Sequence, residues 1–289
     1  MRRALGRRGA DRSWVGQACA LAVGQIPRLC KGRCGYNAAM RTYDTRLGPL
    51  ESPGKPWGLA ATFGLSVVVW YTLELLQAAM GAGMEAVLHD LRLVTPEQNT
   101  QALHFAVITC ISTILCGALV IAAARLRVGL DFRQYLGIRA IPPREWLRWM
   151  LVTLVIVAQM DLVLYLVKGE LLPVQWVEIY RSVHSPWLFW IALIVATPVF
   201  EELIYRGFLF EGIRVSRLGG IGAVMITTLI WTLVHQEYDP LEFAMIFMFG
   251  LILGIARLRT GSILLTMGLH MLHNLIASGE ILWLAAMAE

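Results

Sequence analysis

The residues best suited to chemistry are two adjacent carboxylates and an arginine, Glu201, Glu202 and Arg206, inside the apolar run from Thr197 to Gly207. On a helix, Glu202 and Arg206 are four residues apart and share a face, whereas Glu201 lies about 100° around the axis. Ionisable groups in a bilayer core cost at least about 2.5–3.5 kcal/mol each on insertion scales, so their presence indicates function. Arg206 can neutralise one carboxylate, which leaves the other as a candidate base.

Two later apolar runs add imidazoles and an amide. His235 ends the run that contains Trp231, and His270 and Asn274 are four residues apart on one face of the last run. Each of these groups needs a partner in a low-dielectric setting, because an unpaired buried charge is prohibitive. One shared, hydrated cavity would satisfy them all. A carboxylate, two imidazoles and an amide around water are the parts needed for hydrolysis, since they supply a base and donors for an oxyanion.

The composition requires that helices in a membrane position these residues. Of the 289 residues 57% are hydrophobic and 16% are charged, and the mean hydropathy is +0.61, which excludes an ordinary soluble domain. The pattern predicts an all-α, multi-pass transmembrane bundle of about seven spanning helices. The predicted stretches are about 57–81, 101–124, 147–167, 187–213, 220–236, 241–257 and 262–286. A span needs about 20 residues, so the fifth and sixth stretches are short.

Charge sets the predicted organisation and orientation. Residues 1–56 carry eleven Lys/Arg against three Asp/Glu, which predicts a disordered basic tail or linker before a membrane domain at 57–289. Such a tail is typical of topology or anionic-lipid contact, and no nucleic-acid partner is expected. Basic and acidic connections alternate, so the positive-inside rule predicts an inner-membrane protein with a cytoplasmic amino terminus and seven crossings. Residues 132–139 are predicted as either a short amphipathic surface helix or an ordinary basic loop.

Three motifs of the CPBP intramembrane protease family, which includes type II CAAX prenyl endopeptidases and bacteriocin-processing relatives, occur here in family order. They are EExxxR at Glu201, Glu202 and Arg206, an FxxxH-like motif ending at His235, and HxxxN at His270 and Asn274. The chain resembles this family over about residues 186–278. One departure is Trp231 where phenylalanine is usual, which retains an aromatic ring.

The resemblance implies a membrane-embedded endopeptidase that acts on a peptide or membrane-protein substrate. In that family scheme, Glu201 is the general base on a water held with His235, and His270 and Asn274 stabilise the tetrahedral oxyanion. The remaining glutamate and the arginine orient the site. A carboxylate paired with an arginine stays ionised and is a poor base, which favours the same division of roles.

Metal dependence remains open at this point. If a Zn²⁺ ion is present, its ligands are Glu201, His235 and His270, with a fourth position for water. The motifs lack the HExxH spacing that presents two imidazoles from one helix, so a metal-free glutamate-activated water is the preferred prediction.

Two non-peptidase alternatives follow from the same residues. One is a non-catalytic membrane adaptor or bacteriocin self-immunity type of protein on the same fold. The other is a proton-coupled transporter, which predicts inverted-repeat symmetry between the halves, and no such symmetry is visible.

One geometric difficulty concerns His235, which lies near a helix end while Glu201 and His270 lie near the middle of theirs. We expect the loop from Gln236 to Glu242 to dip into the cavity, with Glu237 and Asp239 keeping it hydrated.

Overall fold

The computed structural model describes residues 55–90, 101–169, 171, 174–181, 186–236 and 238–287. Within these ranges every regular element is a helix, so the all-α prediction is confirmed. The nine helices are α1 (Leu59–Asp90), α2 (Gln101–Arg125), α3 (Phe132–Leu136), α4 (Pro143–Lys168), α5 (Val174–Arg181), α6 (Pro186–Arg214), α7 (Gly219–Leu233), α8 (Pro240–Thr260) and α9 (Ile263–Met287).

Seven of these helices correspond to the seven predicted apolar stretches. Five segments are long and apolar enough to cross a membrane: Leu59–Met84, Phe105–Arg125, Pro143–Lys168, Pro186–Arg214 and Pro240–Thr260. Helix α7 has only 15 residues, shorter than a bilayer core requires. The chain is therefore an integral membrane protein, and the predicted number of seven crossings is approximate. The predicted basic tail lies, up to residue 54, outside the described residues, and the orientation stays a prediction.

The loop before α8 is fixed by capping chemistry. The Asp239 carboxylate accepts from the backbone N–H groups of Leu241 and Glu242, and the Glu242 carboxylate accepts from the backbone N–H of Asp239, which forms a capping box. Lys168, at the end of α4, pairs with both carboxylates. This end of α8 is therefore tied to the end of α4.

Helix α6 lies at the centre of the core and is not a regular α-helix. It contains two π-helical stretches, Ile191–Ala196 and Glu202–Leu209, separated by one α-helical turn at Thr197–Glu201. Every residue of the second stretch is buried. Such π-helical insertions are rare and frequently occur at functional sites. Both motif glutamates lie at the junction between the α-helical turn and the second π-helical stretch.

Small residues let α8 approach α7 closely. A Cβ at Gly250 would lie 2.8 Å from Cγ2 of Thr228 and 3.0 Å from the Trp231 ring, and a Cβ at Gly254 would lie 3.0 Å from Val224. Close packing through small residues is typical of membrane helices. Here it brings the Gly250 carbonyl to the site described below.

The predicted surface helix at residues 132–139 forms only over Phe132–Leu136 and packs into the bundle. Asp131 caps its start, and Gly137, at φ 74°, ends it. Tyr135 and Leu136 are fully buried, and the Tyr135 ring stacks on Phe208 with centroids 5.4 Å apart. The short helix therefore has an apolar face that contacts α6, which the basic composition of this segment did not predict.

Candidate active site

The centre of the site is a buried ion pair within the second π-helical stretch. Arg206 Nη1 donates to Glu202 Oε1 at 2.9 Å, and both side chains have 0% exposure. Arg206 Nη2 also donates to the Gly250 carbonyl of α8 at 3.4 Å, and the guanidinium lies 4.7 Å above the Trp231 ring of α7. The pair therefore connects α6 to two neighbouring helices. Because Glu202 is held by the arginine, it remains a carboxylate.

His270 of α9 links the two glutamates. Its Nδ1 lies 3.1 Å from Glu202 Oε1, within hydrogen-bond distance, and its Nε2 lies 3.9 Å from Glu201 Oε2. The side chain is only 5% exposed. An imidazole with both nitrogens facing carboxylates can donate from both when it is protonated. In that form the two carboxylates are balanced by two cations, so the low-dielectric site carries no net charge.

Glu201 is the carboxylate without an arginine. Its Oε2 accepts a hydrogen bond of 2.7 Å from the indole N–H of Trp231. Trp231 is 3% exposed, whereas the Glu201 side chain keeps 13% exposure. Phenylalanine, the residue usual at position 231 in the resembled motif, has no N–H to donate. The tryptophan is therefore more than an aromatic replacement, because it orients the candidate base.

His235 follows the end of α7. Its Nδ1 lies 2.8 Å from the Trp231 carbonyl oxygen, and its ring centroid lies 5.0 Å from that of Trp231. Since a carbonyl only accepts, Nδ1 carries the proton in this hydrogen bond. The neutral ring then has an unprotonated Nε2 that can accept a hydrogen bond from water. Trp231 thus contacts both Glu201 and His235, one through its indole N–H and the other through its ring and carbonyl.

Asn274 occupies a gap that the first π-helical stretch opens in α6. The Thr197 N–H donates to the Ala192 carbonyl, five residues back, and Pro198 has no N–H. The Leu193 carbonyl therefore receives neither of the N–H groups that normally serve it in a helix. Asn274 Nδ2 donates to this oxygen at 2.8 Å. The amide has two N–H groups, so one remains for another acceptor.

His273, one residue before Asn274, is held by its neighbours. It stacks on Phe249 with centroids 4.3 Å apart, and its Nδ1 lies 3.2 Å from Asn274 Oδ1. This arrangement fits a structural histidine that orients the Asn274 amide.

Four of the six candidate residues open onto one cavity. Glu201, His235, His270 and Asn274 line a cavity of about 480 Å³, whose walls come from most of the long helices. The ion pair of Glu202 and Arg206 lies behind this wall. The structure therefore brings the acid, both imidazoles and the amide to a common space, with the ion pair supporting them.

The same cavity holds carboxylates outside the motifs. Glu74, Asp161, Glu242 and Glu280 all line it. Asp161 and Glu280 are close enough to interact electrostatically. Sequence reasoning missed Glu280, because the preceding Ser278 and Gly279 resemble a helix end. No lysine or arginine occurs among the described residues of the lining, so the charged side chains of this mainly apolar cavity are acidic.

The segment after His235 was expected to dip into the cavity, and only some of its residues do so. Tyr238 and Glu242 line the cavity. Asp239 does not line it and instead caps α8, while Glu237 lies outside the described residues.

The predicted zinc ligands do not assemble into a metal site. Among the residues that the structure describes, no group of three or more His, Cys, Asp or Glu side chains could hold a metal ion. His270 Nε2 and Glu201 Oε2 approach each other to 3.9 Å, but that carboxylate oxygen already accepts from the Trp231 indole, and the other His270 nitrogen contacts Glu202. A catalytic zinc needs three protein ligands, so these residues do not fit one as they stand. The metalloprotease prediction gains no support.

Arg257 of α8 was overlooked in the sequence. It is 3% exposed, and its Nε donates to the Arg206 carbonyl at 2.8 Å. The Phe210 N–H donates to Tyr205 instead, so it does not serve that carbonyl. In sequence Arg257 resembles one more basic residue at a helix end. Its role depends on the π-helical register of α6, which the sequence does not reveal.

The fold and the site define a multi-pass helical membrane protein with a buried acid–imidazole cluster beside an acidic cavity. Residues 183–276 match the family model described as Type II CAAX prenyl endopeptidase Rce1-like. The family resemblance found in the sequence is thus confirmed over this segment, which carries all six candidate residues.

An Escherichia coli protein described as an uncharacterized 24.3 kDa protein is 34% identical to the chain over 95 residues. The similarity covers 32% of this chain and 43% of that protein, so the chain spans less than half the length of the relative it matches. No solved structure gives a significant match to the chain.

Proposed function

We propose that the chain is an intramembrane endopeptidase in which Glu201 is the general base that activates a water for attack on a peptide bond. The family match over residues 183–276 supports this class of activity. The contacts of the two adjacent glutamates support the choice of base. Glu202 is held by Arg206 and His270, whereas Glu201 reaches the cavity and, among the described residues, accepts a side-chain hydrogen bond on one oxygen, from the Trp231 indole.

The attacking water sits between Glu201 and His235 in this proposal. Both side chains line the cavity, and both are held against Trp231. With Nδ1 committed to a carbonyl, His235 offers Nε2 as an acceptor for one water hydrogen while Glu201 takes the other. A base must reach its water within about 3 Å, so the water has to lie in the space beside the indole.

The oxyanion of the tetrahedral intermediate is stabilised by His270 and Asn274. His270 presents Nε2 on the cavity side, because its Nδ1 is engaged with Glu202, and this nitrogen donates when both ring nitrogens carry a proton. Asn274 contributes the amide N–H that Leu193 does not use. Preorganised donors of this kind typically contribute about 10²–10³ in rate each. Glu202 and Arg206 hold the imidazole in place and do not touch the substrate.

One observation carries the proposal. The His270 imidazole contacts Glu202 with one nitrogen and approaches Glu201 with the other, 3.9 Å away, within a cavity that also holds His235 and Asn274. A purely structural ion pair between Glu202 and Arg206 would not require this convergence of four polar groups from α6, α9 and the segment after α7.

The test uses the full-length protein, purified in detergent and reconstituted in liposomes, with fluorogenic peptides. One probe ends in a farnesylated CAAX sequence, and the other is the same peptide without the lipid. We expect Glu201→Ala and His235→Ala to lose at least 10²-fold in cleavage rate. Glu74→Gln, which alters a cavity carboxylate outside the motifs, is the matched control and should keep activity.

Two further outcomes separate the alternatives. If unmodified protein cleaves neither probe and Glu201→Gln keeps the cellular phenotype, a non-catalytic adaptor is favoured. If a chelator abolishes cleavage and Zn²⁺ restores it, the metal-free mechanism is wrong, because glutamate-activated water requires no ion. Unchanged cleavage by Glu201→Ala would refute the role of Glu201.

A further inference from the structure

A second cavity, separate from the candidate active site, lies at the end of the bundle where the basic connecting segments are. It has a volume of about 590 Å³ and is formed where the segment after α3, the start of α4 and the end of α8 meet. Its lining residues are Arg139, Ile141, Pro142, Glu145, Arg148, Trp149, Ile255, Arg259 and Thr260. It shares no lining residue with the acidic cavity.

Three arginines from three separate elements converge on this cavity. Arg139 follows α3, Arg148 lies in the second turn of α4, and Arg259 is in the last turn of α8. All three are exposed, and Glu145 is the single acidic residue of the lining. The cavity therefore carries a net positive charge and is complementary to an anion. Guanidinium groups bind phosphate groups particularly well, because their planar N–H donors match phosphate oxygens.

The position of the cavity relative to the bilayer indicates which kind of anion it could bind. One apolar span begins at Pro143 and another ends at Thr260, so the cavity lies where two spans leave the hydrocarbon core. Trp149, half-buried in the wall, is of the type that anchors at this depth. Below the arginines, Leu151 and Ile255 are 54% and 40% exposed on the outer surface of α4 and α8. A ligand that enters here meets cations at one end and apolar side chains at the other.

We propose that this cavity binds the anionic headgroup of a membrane phospholipid, with its acyl chains along the exposed apolar faces of α4 and α8. Basic pockets between membrane helices bind anionic lipid headgroups in this way. The chemistry shared with a free phosphate ion is the phosphate group itself. We commit to the lipid because the apolar surface continues from the cavity into the membrane. This site is independent of the proposed peptidase activity.

A general excess of positive charge would not select this cavity. Arg133, Arg144 and Arg217 are also exposed, and chain order places them at the same end of the bundle, but none lines the cavity. They provide a control with the same loss of charge. Comparing the two sets of three substitutions distinguishes a concave site from the electrostatic attraction of the whole surface.

The experiment measures lipid retained by the full-length protein. Native mass spectrometry is performed on detergent-purified protein mixed with equal amounts of phosphatidylglycerol and phosphatidylcholine of identical acyl chains. The variants are the cavity set, Arg139→Gln, Arg148→Gln and Arg259→Gln together, and the control set, Arg133→Gln, Arg144→Gln and Arg217→Gln together. The single variant Arg148→Gln is added in case the triple variant unfolds, and circular dichroism checks the fold of each.

We expect unmodified protein to retain phosphatidylglycerol in preference to phosphatidylcholine. The single variant should weaken that binding about fivefold, and the cavity set about 100-fold, while the control set stays within about twofold of the unmodified protein. Equal retention of the two lipids, or an equal loss in both sets, would overturn the proposal in favour of general surface charge. Displacement of the lipid by low-millimolar inorganic phosphate would also overturn it, because the site would then belong to the free ion.

Discussion

Replacement of each of the two adjacent glutamates by glutamine should affect a different property of the protein, stability at Glu202 and catalysis at Glu201. Glu202 is fully buried against Arg206, whereas Glu201 faces the cavity and accepts a hydrogen bond from the indole of Trp231. Replacing either with glutamine keeps the shape and removes the charge. Glu202→Gln is therefore expected to reduce stability, and Glu201→Gln is expected to abolish catalysis with little effect on stability.

The magnitudes follow from burial. Removing one partner of a buried ion pair typically costs about 3–5 kcal/mol, because the other charge is left uncompensated. For Glu202→Gln, where both side chains have 0% exposure, that cost lowers the Tm by roughly 6–20 °C. At position 201 a glutamine oxygen can still accept the Trp231 N–H, so the cost there stays below about 1.5 kcal/mol. An amide cannot take a proton from water, so cleavage should fall by about 10²–10⁴.

The assay combines thermal unfolding of the detergent-purified variants, followed by intrinsic fluorescence, with peptide cleavage in liposomes. Glu74→Gln serves as control, since it removes a cavity carboxylate that has no arginine partner among the described residues. A Glu202→Gln variant as stable as the unmodified protein would contradict the structural role of the buried pair. A Glu201→Gln variant that cleaves at the normal rate would contradict the role of Glu201 as base. An equal loss of stability in both variants would contradict the division of roles between them.

Three further predictions test individual contacts. Trp231→Phe removes the N–H that orients Glu201, together with part of the ring, and should lower kcat/KM about tenfold; an unchanged value would contradict the positioning role. Gly169→Ala should cost roughly 1–2 kcal/mol of stability, because this glycine has a positive φ. Gly137→Ala should lower the Tm further than Gly169→Ala does, because only at Gly137 would a Cβ also overlap a buried guanidinium; equal Tm shifts would remove that reason. Hydrogen bonds from the lysine at the end of α4 and from the first N–H groups of α8 hold the pKa of Asp239 below its ordinary value. The stability they contribute is therefore complete above about pH 5 and is lost as the pH falls through that lowered pKa, so the Tm advantage over Asp239→Asn should shrink between pH 6 and pH 3.

The sequence predicts the helices of this protein well because apolar run length and capping residues determine them locally. The stretch predicted at 187–213 is Pro186–Arg214, and the one predicted at 262–286 is Ile263–Met287. The first helix is longer than predicted and reaches Asp90, because good helix formers continue beyond the apolar run. Helix position and type therefore follow from local pattern.

The hydrogen-bond register within α6 could not be predicted from the same pattern. A π-helical stretch shifts backbone pairing by one residue but leaves hydrophobic spacing almost unchanged over a short run. Pro198 is the one local signal, since it removes an N–H, and it does not say which side chain serves the Leu193 carbonyl. For the same reason Arg257 resembled one more basic residue at a helix end, and Trp231 resembled a neutral replacement for the phenylalanine of the family motif. Their roles depend on partners more than 25 residues away in the chain.

These long-range contacts hold the irregular helix α6 in place around the two glutamates. Asn274 donates to the Leu193 carbonyl before the pair, and Arg257 donates to the Arg206 carbonyl after it. Two side chains from neighbouring helices thus hold α6 on both sides of Glu201 and Glu202, at carbonyls that the π-helical register does not serve in the usual α-helical way. In a regular α-helix a backbone N–H would already bond each of these carbonyls, and a side chain would add only a second hydrogen bond to the same oxygen. In α6 the side-chain donors of α8 and α9 replace missing α-helical backbone bonds, and they thereby hold the helix on both sides of the candidate base.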